Sequence, residues 1–234
     1  MKVGRRLAIK LLNASKFALG VASADGDVPG PGAVDAPLDR ALLATLADLV
    51  IETTMAFDDY DYARALDHTE RLFWRFCDDY VELVKQRAYG SRGDAAAASA
   101  SATLVLALDT QLRLFAPHLP FVTEEVWSWW RPGSVHRAPW PDPSPLRERA
   151  GDGEPGVFRT AADVLGQVRK VKSEHRRSLR TEVRRLTVHD TAERVALLDQ
   201  ARDDLCEAAR ADSLDLVVGT PARVDVELAP PDDA

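Results

Sequence analysis

Arg6, Lys10, Asn13 and Phe17 follow one another at steps of four, three and four, which puts them on one face of a helix. Two cations, an amide and an aromatic ring on an exposed stripe suit phosphate contacts and the stacking of a splayed base. Arg75, Asp79, Glu82 and Gln86 form a second polar face. There the Glu82 carboxylate can accept a hydrogen bond from the exocyclic amine of cytosine or adenine. A third group lies in the basic run from Arg169 to Arg185, where Arg169, Lys170, Lys172, Arg176, Arg177 and Arg180 spread around a helix and its exit. Such a scatter suits phosphates better than bases. Each group also has a plainer reading: Phe17 as a core ring, the basic stripes as solvated faces, Glu82 as a surface partner of Lys85. From spacing alone the plainer reading is the commoner one for the Phe17 stripe and for Glu82.

Other patterns carry less. Gly151, Gly153 and Gly156 have the spacing of a dinucleotide-binding loop, but no apolar strand precedes them and Pro155 stands where a helix should begin. His68, His118, His136, His175 and His189 show no metal-ligand spacing with cysteines or carboxylates. No nucleophile–base arrangement is recognisable, and the cluster Asp58, Asp59, Asp61 reads as an interhelical turn. Cys77 and Cys206 lie far apart in helical sequence, which argues for a reducing cytoplasm over a disulfide framework.

The elements that must hold these side chains are read from periodicity. Of 234 residues, 46% are hydrophobic and 29% charged, with net charge −7, as for a globular protein with a core rather than a general nucleic-acid coat. No run reads as long enough to span a membrane. Val3, Leu7, Leu11, Ala14 and Ala18 predict a first helix over residues 3–19, and residues 25–37 read as a loop. Asp39 suits the cap of a second helix running to about Phe57. Tyr62, Leu66, Thr69, Phe73, Phe76, Tyr80 and Leu83 form an apolar seam on one long third helix. Asp94 suits the cap of a fourth, ending near Pro117, and Pro120 opens a short fifth. A proline-rich stretch comes next. Beyond it a helix from Val157, strands over 184–189 and 214–218, a charged helix over 192–211 and a strand around Val224–Leu228 are expected. The fold class is therefore mainly α: an antiparallel helical bundle (1–142), a linker (143–156), a small α+β subdomain (157–229) and a frayed tail (230–234).

Several stretches resemble the anticodon-binding region of valyl-tRNA synthetases, class I aminoacyl-tRNA synthetases. Residues 4–17, GRRLAIKLLNASKF, are similar to that family's first bundle helix, and 74–82, WRFCDDYVE, to its third. Residues 114–127, LFAPHLPFVTEEVW, resemble its proline-hinged segment, shared more loosely with isoleucyl and leucyl relatives, and 134–141, SVHRAPWP, the tail after it. Arg169–Glu174 and Leu179–Val183 resemble more weakly the small domain that comes after the bundle.

The resemblance implies that Phe17 stacks on an anticodon base with Lys10 beside it. It implies that Val81 and Glu82 contact the middle adenine and third cytosine of the valine anticodon. Val81 stands where leucine is expected in some relatives. Arg6 and Asn13 join by sharing the helical face. The His-x-Gly-His and Lys-Met-Ser-Lys-Ser signatures of class I catalysis do not occur. The expectation is a cytoplasmic tRNA(Val)-binding part of a longer ligase whose catalytic and editing domains, with ATP and magnesium, precede it. No membrane or DNA partner is expected, and no cofactor in this chain. A truncated paralogue serving as a protein-interaction bundle is the competing reading. On the first reading the purified chain shows no valine-dependent exchange of pyrophosphate into ATP, and robust exchange would overturn it.

Overall fold

A computed structural model of the protein describes residues 2–22 and 33–230. Most of the predicted 25–37 loop, and residues 231–234 of the predicted frayed end, lie outside these. Helix α1 (Lys2–Ala22) buries Leu7, Leu11 and Ala18 of the apolar stripe and exposes Arg6, Asn13 and Lys16. Helix α2 (Pro37–Asp58) is buried along most of its length, from Leu38 to Ala56.

The third predicted helix is not continuous. Helix α3 (Tyr62–Arg75) starts at Asp61, whose side chain accepts a hydrogen bond from the Arg64 amide. It then passes into a π-helical turn, Phe76–Tyr80, closed by an amide of Val81 donating to Phe76 O, before α4 (Val81–Ala88). A turn with one extra residue rotates the next helix around the axis. Thr69, Phe73, Phe76, Tyr80 and Leu83 of the seam are buried, but Tyr62 at its start is 53% exposed.

Helix α5 (Asp94–Phe115) runs through the middle of the bundle, and α1, α2, α3 and α4 all pack on it. By length and composition α5 could cross a membrane, contrary to the expectation that no run is long enough. Its apolar surface is instead consumed by packing, with 67% of the apolar window buried.

Helix α6 (Pro120–Ser128) leads to a 3-10 turn, Val135–Arg137. The predicted linker contains a helix, α7 (Ser144–Ala150), laid along α2, with Arg147 paired to Asp48 at 3.0 Å. Leu146 and Ala150 are buried there. At Gly153 an added Cβ would lie 2.6 Å from the Arg40 backbone. Close approach to α2, rather than a nucleotide loop, accounts for that glycine.

Helix α8 (Pro155–Glu174) buries Val157, Phe158, Ala161, Val164, Leu165 and Val168 in the same hydrophobic core as α2. Strand β1 (Val183–Asp190) lies between β2 (Leu214–Val218, parallel) and β3 (Arg223–Leu228, antiparallel). The predicted charged helix is two helices, α9 (Ala192–Asp199) and α10 (Arg202–Ala209). Packing of α10 on α4 and of α8 on α2 makes one continuous core, so the α+β part is joined to the bundle rather than appended to it.

A polar knot crosses that junction. Asp39, fully buried, is not a cap: Ala36 precedes the helix, with Pro37 in its first turn. Its carboxylate accepts from Tyr80 Oη (2.7 Å), both Arg87 Nη atoms (2.7 Å each) and Ser99 Oγ (2.6 Å). The Nε of Arg87 donates to Asp204 of α10 at 2.9 Å, and Arg92 also pairs with Asp204. Burial works against the Arg87 charge, but the hydrogen bonds and charge of Asp39 outweigh it and hold the guanidinium protonated. Burial, then the Asp39 carboxylate, pushes the Tyr80 hydroxyl well above the phenol range, keeping it a donor. Asp94, too, is no cap; Gly93 at φ 83° occupies that position.

Candidate nucleic-acid interface

One edge of the molecule gathers most of the predicted contact residues. The side chains of α1 meet those of α3–α4 in the same order along both. The Arg6 guanidinium carbon lies 5.0 Å from the Trp74 ring centroid, and Lys10 Nζ 5.9 Å from it. Lys10 Nζ also donates to Asp78 at 2.7 Å, and Phe17 packs edge-on against Tyr89 with centroids 6.0 Å apart. Asn13 is exposed between them. Phe17 is half-buried, its ring packed partly on the core, whereas Tyr89 is 65% exposed. Trp74 is held by its own indole N–H donating to Glu70 at 3.0 Å.

The π-helical turn brings Asp78 and Asp79 to this edge. Asp78 takes Lys10, and Asp79 takes Arg169 of α8 at 3.0 Å, while a second Arg169 nitrogen donates to Asp78 O at 2.6 Å. Burial raises the Asp79 pKa against the lowering effects of Arg169 and Arg75. Next along, Glu82 is exposed, with Lys85 Nζ at 3.5 Å, and Val81 is 9% exposed.

Glu82 and Lys10 line one cavity of about 500 Å³ whose far side is Arg169, Leu179 and Ala208. A second, of about 720 Å³, runs from Glu82, Lys85 and Gln86 to Leu179, Arg180 and Arg210. Cys77, on the first cavity's wall, has its thiol pushed up to about 12 by burial, so it stays protonated beside Lys10. Cys206 is shifted upward too, chiefly by burial, and both cysteines are free. Apolar patches, carboxylates and cations side by side suit a partner with polar edges, flat faces and separate anionic groups. Nucleic-acid strands have that chemistry.

The family model described as the anticodon-binding domain of tRNA ligase matches residues 39–188. The chain belongs to this family. Among similar proteins, the valine–tRNA ligase of Thermobifida fusca (strain YX) is 55% identical over 232 residues, covering 98% of this chain and 26% of that protein. The valine–tRNA ligase of Salinispora arenicola (strain CNS-205) is 47% identical, covering 98% and 28%. That of Cutibacterium acnes is 45% identical, covering 94% and 25%. The chain thus spans about a quarter of the length of these relatives.

In this anticodon-binding domain, Arg6, Lys10, Asn13, Phe17 and Glu82 share one edge, with Val81 just beneath it. The basic segment is divided. Lys172 is no surface cation: it is 2% exposed, and its Nζ donates to Leu179 O (3.2 Å) and Ala209 O (2.9 Å). Its place on the inner face of α8, one turn from Val168, corrects the phosphate role expected of it. Burial, then Arg210 and Arg169, lowers its pKa. Arg177 is tied to Ala229 O at 3.2 Å, and Lys170 faces Glu174 on the exposed side of α8. Arg176 and Arg180 lie past the helix, which ends at Glu174. Periodicity missed Trp74 and Tyr89; the sign available was an aromatic at each end of the polar face that carries Glu82.

Proposed function

We propose that this domain recognises the anticodon loop of valine tRNA as part of a valine–tRNA ligase, with activation of valine by ATP and magnesium carried out elsewhere in that enzyme. The observation that carries the reading is that Lys10 and Glu82, distant in sequence, line one groove, while farther along the same helices the half-buried Phe17 ring packs against the exposed Tyr89. Phe17 gives a stacking face, Lys10 a cation beside it, and Glu82 an acceptor for the amine of the third-position cytosine. Val81 supports the middle adenine by its exposed margin. Arg6 and Asn13 extend the contact along α1. The relatives named valine–tRNA ligase, matched over nearly all of this chain, favour valine over other anticodons.

Labelled anticodon stem-loops test this. Phe17→Ala is expected to weaken binding of the valine loop by about 1–3 kcal/mol with little dependence on salt. Because Phe17 also packs on the core, its melting temperature is measured alongside; a fall of several degrees would assign the ring to packing. Glu82→Ala, exposed and safe for folding, is expected to cost about 1–3 kcal/mol of preference for the valine loop over one with uracil third. Uracil presents a carbonyl where cytosine has the amine, and a carboxylate repels it. Undiminished preference in a stable Glu82→Ala protein removes Glu82 from the site.

A further inference from the structure

The two cavities on either side of Glu82 share three lining residues, Glu82, Leu179 and Ala208, and so form one groove between the bundle and the α+β part. Its far rim is the loop between α8 and β1. That loop is firmly built. Arg176 turns it in the left-handed region at φ 55°, Thr181 N donates to Ser178 O at 3.0 Å, and Arg180 N donates to Ser178 Oγ at 3.2 Å. Lys172 anchors it from below by donating to Leu179 O, without a carboxylate partner among the described residues. With no ion pair, the cost of burying this lysine is offset by its hydrogen bonds to the Leu179 and Ala209 carbonyls, which fix the loop relative to α8 and α10.

What it holds is a leucine facing water: Leu179 is 60% exposed over the groove. Next to it stands a cation with no competitor. Lys10 is taken by Asp78, Arg169 by Asp79, Lys85 by Glu82 and Arg210 by Glu182. The Arg180 side chain has no hydrogen-bond or ion-pair partner among the described residues. Of the groove's other acids, Asp78 faces Lys10, Glu182 faces Arg210 and Glu207 faces Arg92, while Asp212 has no ion-pair partner among the described residues.

We propose that the α+β part supplies the second wall of the anticodon site, with Leu179 covering the base read by Glu82 and Arg180 holding a phosphate of the same strand. This rests on the anticodon reading above. It makes the occupant single-stranded RNA in an extended path from Phe17, past Glu82, into the groove. The groove's size, about 720 Å³ in its larger half, falls in the range that holds molecules of nucleotide size, roughly 300–1,000 Å³.

The test uses the full chain with valine and third-uracil anticodon stem-loops over a range of salt. Leu179→Ala, at an exposed site, is expected to leave the melting temperature unchanged, weaken the valine loop roughly fivefold at every salt concentration and narrow the discrimination. Leu179→Met should restore both. Arg180→Ala is expected to flatten the slope of log affinity against log salt by roughly 0.7, the release from one single-strand phosphate. If both alanine variants bind like the parent with unchanged slope while Phe17→Ala binds weakly, the second wall is overturned and the anticodon reading survives. If the parent protein binds all loops equally or none, both fall together.

Discussion

Asp39→Ala is expected to destabilise this domain by about 3–5 kcal/mol, the largest single loss among its polar residues. The substitution removes an acceptor that serves Tyr80, both Arg87 nitrogens and Ser99 at once. It leaves a buried guanidinium with Asp204 and the Ala96 carbonyl as its remaining partners, and a buried phenol without its acceptor. Asp39→Asn should be nearly as harmful, because one amide end presents a donor to groups that are themselves donors. Urea unfolding reads the effect as a lower midpoint at unchanged slope. Against a total of roughly 5–15 kcal/mol, such a loss is a large share of the stability of the fold. A loss below about 1 kcal/mol would mean that the knot is solvated, and would sink this account of it. Because Arg87 also reaches Asp204, the same variant should loosen the grip of α10 on α4.

Phe158→Ala is expected to cost a similar amount, about 3–5 kcal/mol, through lost burial and an unfilled cavity. Phe158 is 1% exposed, meets the Tyr80 ring edge-on at 5.9 Å and carries the Arg75 guanidinium 5.3 Å from its centroid. It lies on α8, beyond the stretch read from sequence as a linker, yet its neighbours belong to the bundle. The consequence reaches past one residue. Two independent units would unfold in two steps, and only the second would respond to Phe158→Ala. A continuous core predicts one transition, coincident by far-ultraviolet circular dichroism and tryptophan fluorescence, shifted as a whole by the substitution. Two separated transitions, with only one moving, would restore the boundary.

That boundary shows how far local pattern reaches. The apolar stripe of α1, the seam Thr69–Phe73–Phe76–Tyr80, the strands and the helix from Val157 all announce themselves, since periodicity records which face a segment buries. The face carrying Arg6, Lys10, Asn13 and Phe17 was legible for the same reason. Where prolines crowd together, propensity argued for an open linker, but Leu146 and Ala150 had a place on α2 and the chain formed α7 there. Tertiary burial outweighed a weak local preference.

A helical bundle with a small α+β part, a resemblance to anticodon-binding domains and a basic, aromatic face on the first helix can all be read from the order of the residues. Which charges lie at the surface and which in the core depends on packing between distant elements. Asp39 reads as a cap and Lys172 as a phosphate ligand until Arg87, Asp204, Leu179 and Ala209 arrive from elsewhere in the chain to satisfy them. The π-helical turn that carries Asp78 and Asp79 toward Lys10 and Arg169 is likewise invisible to a pattern of alternating threes and fours. For Asp39 and Lys172 the cause is the same. A polar side chain is tolerated in the interior when distant partners complete its hydrogen bonds, and those partners are set by how elements pack, not by the residues on either side.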